Sequence, residues 1–231
     1  ADGFRLWDTP KGQFWMPKGS DHLLSSLLAE QENGIYSLGQ KGARSGDVVL
    51  DCGAHVGVYT REALAAGAKL VVAIEPSPEN LVALKRNLAE EITAGRVIVY
   101  EKGVWDSETR VNFFLDEENS AGSTVVSDPA KGKGVIKIPV TTIDKLVAEL
   151  KLDRVDLIKM DIEGAEQKAL AGARATLVKH KPRVAAAAYH LQDDQTRIPE
   201  VVRAARADYQ MLCGPCGEKD EWIIPHTLLF Y

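Results

Sequence analysis

The chain has 231 residues, 45% of them hydrophobic and 26% charged, with a formal net charge of -5. That is enough for one sizeable core in a single α/β domain of soluble globular composition. The charge gives no overall basic footprint for a nucleic-acid backbone, and the longest apolar run, Val184 to Tyr189, is far too short to span a bilayer. Three cysteines are an odd number for a secreted disulfide scaffold, so reduced thiols and a cytoplasmic setting are expected. A chain beginning at Ala1 leaves open a removed targeting segment.

Residues 1–19 mix Trp7, Phe14, Trp15, Pro10 and Pro17 with glycines and read as an extended or hairpin segment. Asp21 is placed to cap a helix over 21–32, where Leu23, Leu24, Leu27 and Leu28 fall at helical spacing. A strand is expected at 47–51, a helix at 57–66 and a second strand at 70–75. Pro76 and Pro78 then open a helix through Leu88, followed by a third strand at 96–101. Thr109 to Leu115 and Val135 to Val140 look like β segments, separated by a long polar stretch, Asp116 to Gly134, that reads as a lid or an insertion. A helix at 141–151 leads to a strand at 155–160. A helix follows Gly164, and a fifth strand runs from Arg183 to Tyr189. A helix spans Pro199 to Ala207, and Tyr209 to Leu212 and Thr227 to Tyr231 are the last strands. Cys213 and Cys216 with His226 supply too few ligands for zinc, and a turn with incidental thiols is expected. The alternation is that of a doubly wound, Rossmann-like α/β sheet.

The chemistry concentrates at the strand ends. Val48-Val49-Leu50-Asp51 runs into Cys52-Gly53-Ala54-His55-Val56-Gly57, and the second strand ends at Glu75. Strand, glycine turn, helix, strand, acid is the layout of a nucleoside-binding βαβ unit. The dinucleotide fingerprint has a glycine where this chain has His55. An imidazole there crowds a diphosphate, and Asp51 repels one. A cationic nucleoside without phosphate fits better, and S-adenosylmethionine is the candidate. Glu75 can accept both ribose hydroxyls.

This turn and acid resemble motifs one and two of class I methyltransferases. Lys159-Met160-Asp161-Ile162-Glu163-Gly164-Ala165-Glu166 resembles the signature of the FkbM-type methyltransferases, and Tyr189-His190 the strand end of one branch of that family. The resemblance runs from about residue 40 to the C-terminus. It implies a seven-stranded, mostly parallel sheet with an antiparallel C-terminal hairpin. It also implies residues 1–40 as an extension on or near the cofactor site, with 41–231 as the methyltransferase domain. The implied activity is transfer of a methyl group from S-adenosylmethionine to a hydroxyl of a small molecule or sugar, leaving S-adenosylhomocysteine. Lys159, Glu163, Gly164 and Glu166 are signature positions without fixed roles. No Asn/Asp-Pro-Pro-aromatic motif follows the fourth strand, which disfavours amino-group acceptors.

The cofactor is therefore expected on Asp51, Gly53, His55, Gly57, Glu75, Pro76, Asp106 and Asp161, with Asp51 drawing the ammonium and Asp106 the adenine amino group. Asp161 and His190 are the expected catalytic pair, His190 as base, oriented by Asp193 or Asp194. No metal is assigned, although Asp161, Glu163 and His190 together suit the divalent ion that some O-methyltransferases use. Two other readings stand beside this one: a catalytically silent nucleoside-binding protein on the same fold, and a nicotinamide oxidoreductase, which His55 disfavours.

Overall fold

The computed structural model describes residues 2–116, 119–125, 134–219 and 221–231. Its main sheet holds β1 (Val48–Cys52), β2 (Leu70–Ile74), β3 (Val97–Tyr100), β4 (Leu157–Met160), β5 (Arg183–Ala187), β6 (Met211–Cys213) and β7 (Thr227–Phe230), in the order β3-β2-β1-β4-β5-β7-β6. All neighbours are parallel except β7, which runs antiparallel to β5 and β6. The mostly parallel sheet and the antiparallel C-terminal pair expected from sequence are both present. Chain order reverses between β1 and β4, and ligands settle in the crevice such a switch point leaves.

Apolar residues fill these strands because both faces are covered. Leu50, Val72, Ile158 and Val184 pack on one side with Ile143, Leu146, Leu170 and Val202. Val49, Val71, Leu157 and Ala185 pack on the other with Tyr59, Leu64 and Leu84. The period-two alternation of each strand thus feeds two separate layers of helices.

The amino-terminal segment forms a hairpin, Phe4–Thr9 against Gly12–Pro17. Asn87 ties it down: its amide accepts from the Trp15 N–H and donates to the Trp15 and Val56 carbonyls. Phe14 and Met16 are buried against Leu24, Val56, Val58 and Ala83. Asp21 does not cap the next helix. It lies in a 3₁₀ turn, Asp21–Leu23, and pairs with Arg5, while the α-helix runs Leu24–Glu32.

The segments at Thr109–Leu115 and Gly134–Thr141 pair antiparallel, and Gly103–Val104 joins them in a small three-stranded sheet. Of the proposed lid, residues 117, 118 and 126–133 lie outside the described residues. The helix expected from Pro199 begins earlier, at Asp194, and carries Pro199 inside it. A hairpin, Cys216–Lys219 with Trp222–Pro225, follows the expected turn and precedes β7. Among the described residues, no helix is long and apolar enough to cross a membrane.

Candidate active site

Two adjoining hollows open beyond the carboxyl ends of β1, β2 and β4. One, of about 590 Å³, is walled by Glu75, Pro76, Val104, Phe113, Val140 and Ser120, among others. The second, of about 460 Å³, brings in Leu27, Glu30 and Gln31 of the Leu24–Glu32 helix, with Tyr36, Tyr59 and Lys159. Gly53, His55, Ala121, Asp161 and Glu163 wall both, so the two form one cleft. An apolar side formed by Val104, Phe113, Ile138 and Val140 faces a polar side with Glu75, Asp161 and Glu163, a combination that suits a small organic ligand carrying polar groups.

Glu75 follows directly on β2 and is buried. Its carboxylate accepts from the backbone N–H of His55 and of Ser77, both at 2.8 Å, and from the Asn80 amide at 3.4 Å. Burial pushes its pKa up to about 7 against the pull of those hydrogen bonds. His55 stands in the turn with left-handed backbone at φ 50°, and its Nε2 meets the Ser120 hydroxyl at 2.8 Å. Burial and the nearby Lys159 charge bring the imidazole pKa down to about 4, so the ring is neutral. Ser120 is itself buried: its N–H donates to Ser20 and its carbonyl accepts from Asn80. The described part of the polar loop therefore packs onto the cleft instead of standing free over it.

The two glycines of the turn, expected on the cofactor, make close contacts inside the protein. At Gly53, φ is 80° and a Cβ would lie 1.9 Å from the Asp161 carbonyl oxygen. At Gly57, φ is 94° and a Cβ would meet Leu84 at 2.9 Å. Gly53 lets the β1 and β4 turns touch, and Gly57 lets the turn seat on the Pro78–Asn87 helix. Gly53 still lines the cleft, whereas Gly57 is not among its walls.

Asp51 is fully buried beneath the turn and outside the cleft walls. It accepts from Thr60 at 2.6 Å and pairs with Lys159 at 3.2 Å. Lys159 also donates to the Gly53 carbonyl. Burial opposes the lysine charge, but Asp51 and Asp161 outweigh it and raise its pKa. The expected role of Asp51 as an ammonium receptor is corrected: its charge is already matched inside the protein. Asp106 is likewise drawn off. It pairs with Lys168 at 2.8 Å, and this bond holds its pKa low. Val104, two residues earlier, lines the cleft in its place.

Asp161 sits just beyond β4. It accepts from the Tyr36 hydroxyl at 2.7 Å. Burial raises its pKa, but Lys159, His190 and Tyr36 pull it lower overall. His190, beyond β5, is only 8% exposed and faces three carboxylates. Its Nδ1 lies 3.1 Å from Glu166, and its Nε2 lies 3.4 Å from Glu163 and 3.5 Å from Asp161. Burial works against the imidazolium, but Glu163, Glu166 and Asp161 more than offset it and push the pKa up to about 11. The expectation of a free histidine base is corrected to a ring that is protonated at neutral pH.

Glu166, whose role the sequence leaves open, orients that ring. It also accepts from the backbone N–H of Ile162 and Gly164, at 2.8 and 3.0 Å. Asp194 instead accepts from Leu191 N–H and Gln167, and Asp193 from Gln167. Sequence reasoning missed Tyr36 and Glu30. Both belong to the amino-terminal region, where no motif marks them. Burial, together with Asp161 and Glu163, raises the pKa of Glu30.

A model of the methyltransferase FkbM domain matches residues 51–211, which carry the β1 turn, Glu75 and the Asp161–Glu166 turn. The chain belongs to the FkbM methyltransferase family. A structure of methyltransferase FkbM from Methylobacillus flagellatus KT is 26% identical, with a TM-score of 0.62, over 94% of this chain and 56% of that one. The 2-O-methyltransferase NoeI of Sinorhizobium fredii is 26% identical over 149 residues, 57% of this chain and 59% of that protein. This FkbM chain thus spans under three fifths of the solved relative and about three fifths of the curated one. M. jannaschii TYW2, solved with AdoMet, shares the fold at 15% identity and a TM-score of 0.52 over the whole of this chain. The strand order is that of class I methyltransferases.

Proposed function

We propose that this chain is an S-adenosylmethionine-dependent O-methyltransferase acting on a hydroxyl of a small molecule or sugar. The observation that carries the reading is the buried Glu75 carboxylate, which directly follows β2 and lines a pocket walled largely by apolar side chains. Glu75 takes the ribose hydroxyls. Pro76, Val104 and Val140 enclose the adenine. The methionyl arm passes His55 and Gly53 toward the second hollow, where Glu30 receives the ammonium in place of Asp51. The sulfonium then lies near Asp161 and Glu163, whose negative charge suits it. The 2-O-methyltransferase named among the relatives supports an oxygen acceptor.

Methyl transfer is an in-line displacement. The acceptor oxygen bonds to the methyl carbon, the S–CH₃ bond breaks with its electron pair going to sulfur, and S-adenosylhomocysteine remains. Holding oxygen, carbon and sulfur in line supplies much of the rate. The acceptor's proton passes to the Asp161–Glu163–His190 cluster, with Asp161 the group nearest the cleft junction.

Glu75→Ala is expected to weaken S-adenosylhomocysteine binding by roughly 1.5–3 kcal/mol, the worth of hydrogen bonds to a charged acceptor. Calorimetry checks it, and unchanged affinity would remove Glu75 from the ribose. The same carboxylate sets a pH dependence. Ribose hydroxyls favour the ionised form, so affinity should rise as pH passes through about 7. Between pH 8 and pH 6 the loss is about tenfold if only the ionised form binds. The unliganded protein should show the opposite trend. A folded-state pKa above the ordinary 4.5 means that this group's contribution to stability falls as pH rises from about 4.5 through 7.

A further inference from the structure

We propose that Asp161, Glu163 and His190 form a binding site for one divalent metal cation on the floor of the cleft. Two buried polar atoms, Oδ1 of Asp161 and Nε2 of His190, have no hydrogen-bond partner. They face each other at 3.5 Å, and Oε1 of Glu163 lies 3.4 Å from the same Nε2. The three ligand atoms fall within 4.8 Å of one another. Oxygen and imidazole ligands sit roughly 2.0–2.2 Å from a first-row divalent ion. Two such ligands spread between a right angle and a tetrahedral angle stand roughly 3.0–3.5 Å apart on those bond lengths. The observed separations therefore leave room for an ion between groups too far apart to satisfy each other directly.

Each ligand is also held from behind. The second oxygen of Asp161 accepts from Tyr36, which leaves Oδ1 free to turn inward. Nδ1 of His190 is engaged by Glu166, so Nε2 faces the gap, and an ion bound there takes the place of the Nε2 proton. A carboxylate behind a ligating histidine is the usual outer partner in metal sites. Glu163 adopts left-handed backbone at φ 53°, and its carbonyl accepts from the Thr124 hydroxyl at 2.6 Å. Charge points the same way. Asp161, Glu163 and Glu166 surround one imidazole, and Glu30 faces Asp161 and Glu163 from the amino-terminal helix. Lys159, whose charge also acts on Asp161, is already matched by Asp51. Two carboxylates and one imidazole suit a hard to borderline ion such as Mn²⁺.

Asp161 and Glu163 line the cleft, whereas His190 stands behind them. The ion therefore keeps an open side toward the place where the acceptor hydroxyl arrives. It would hold that oxygen and ease loss of its proton. This role rests on the methyltransferase reading; the site itself does not.

The test is titration of Mn²⁺ into the intact chain, followed by loss of the free-ion electron paramagnetic resonance signal. One ion per chain is expected. Asp161→Asn and Glu163→Gln should each weaken binding by more than the roughly 10–100-fold typical of losing a ligand's outer partner. Glu163 is partly exposed and its substitution keeps the amide oxygen beside His190, so E163Q keeps the test sound should D161N fold poorly. No bound ion in the parent, or one that is indifferent to both substitutions, would overturn the site. S-adenosylhomocysteine affinity is read separately by calorimetry on the same samples. Its absence would sink the methyltransferase reading and leave the ion result to stand alone.

Discussion

Asp161→Asn should lower methyl transfer by roughly 10²–10⁴-fold, the range expected when a positioned proton acceptor is lost. His190→Ala should also lower turnover, by removing the group that holds Asp161 and Glu163 in place. Asp161 lies at the junction of the two hollows, and His190 packs against it and Glu163 beyond the neighbouring strand. Removing the imidazole leaves Asp161, Glu163 and Glu166 facing one another without their cation. Removing the Asp161 charge takes away the group nearest the reacting atoms. Neither change touches Glu75, so S-adenosylhomocysteine should bind nearly as before. Release of S-adenosylhomocysteine, measured over a panel of hydroxylated acceptors, checks this. Parent-like turnover in both variants would mean that alignment alone carries the rate.

Lys159→Ala should destabilise the protein by roughly 3–5 kcal/mol, as expected when one partner of a buried ion pair is removed. The ammonium is nearly inaccessible, and it answers both the Asp51 carboxylate and the Gly53 carbonyl. Without it, Asp51 keeps the Thr60 hydroxyl but no positive charge. Urea denaturation gives the number. A variant as stable as the parent, but with weakened cofactor binding, would assign Lys159 and Asp51 to the ligand site and contradict the structural role.

The sheet was legible because the strands are mostly apolar and the turns after β1, β2 and β4 carry a glycine or proline. The cleft's Glu75 side was legible for the same reason: an acid directly after β2 can only project from the carboxyl edge. What sequence could not supply was competition for charge. Asp51 and Asp106 have the right type and strand-end position for a cofactor, but Lys159 and Lys168 claim them, and only the fold brings those lysines near. The protonation of His190 was hidden similarly. Its neighbour in chain, Asp194, was the obvious partner, yet Glu166 reaches Nδ1 from the next strand's turn. Glu30 and Tyr36 enter the site from a segment with no motif, Glu30 on the Leu24–Glu32 helix and Tyr36 just after it. Gly53 and Gly57 were visible as necessary, but the reason is contact with the Asp161 backbone and with Leu84.

The most direct test of the central claim is equilibrium calorimetry of the intact chain at pH 8 with S-adenosylhomocysteine and, separately, NAD. The cleft's shape, Glu75 at its ribose end and His55 in the turn predict one S-adenosylhomocysteine bound per chain and no measurable heat with NAD. Tight NAD binding with no response to S-adenosylhomocysteine would contradict the account.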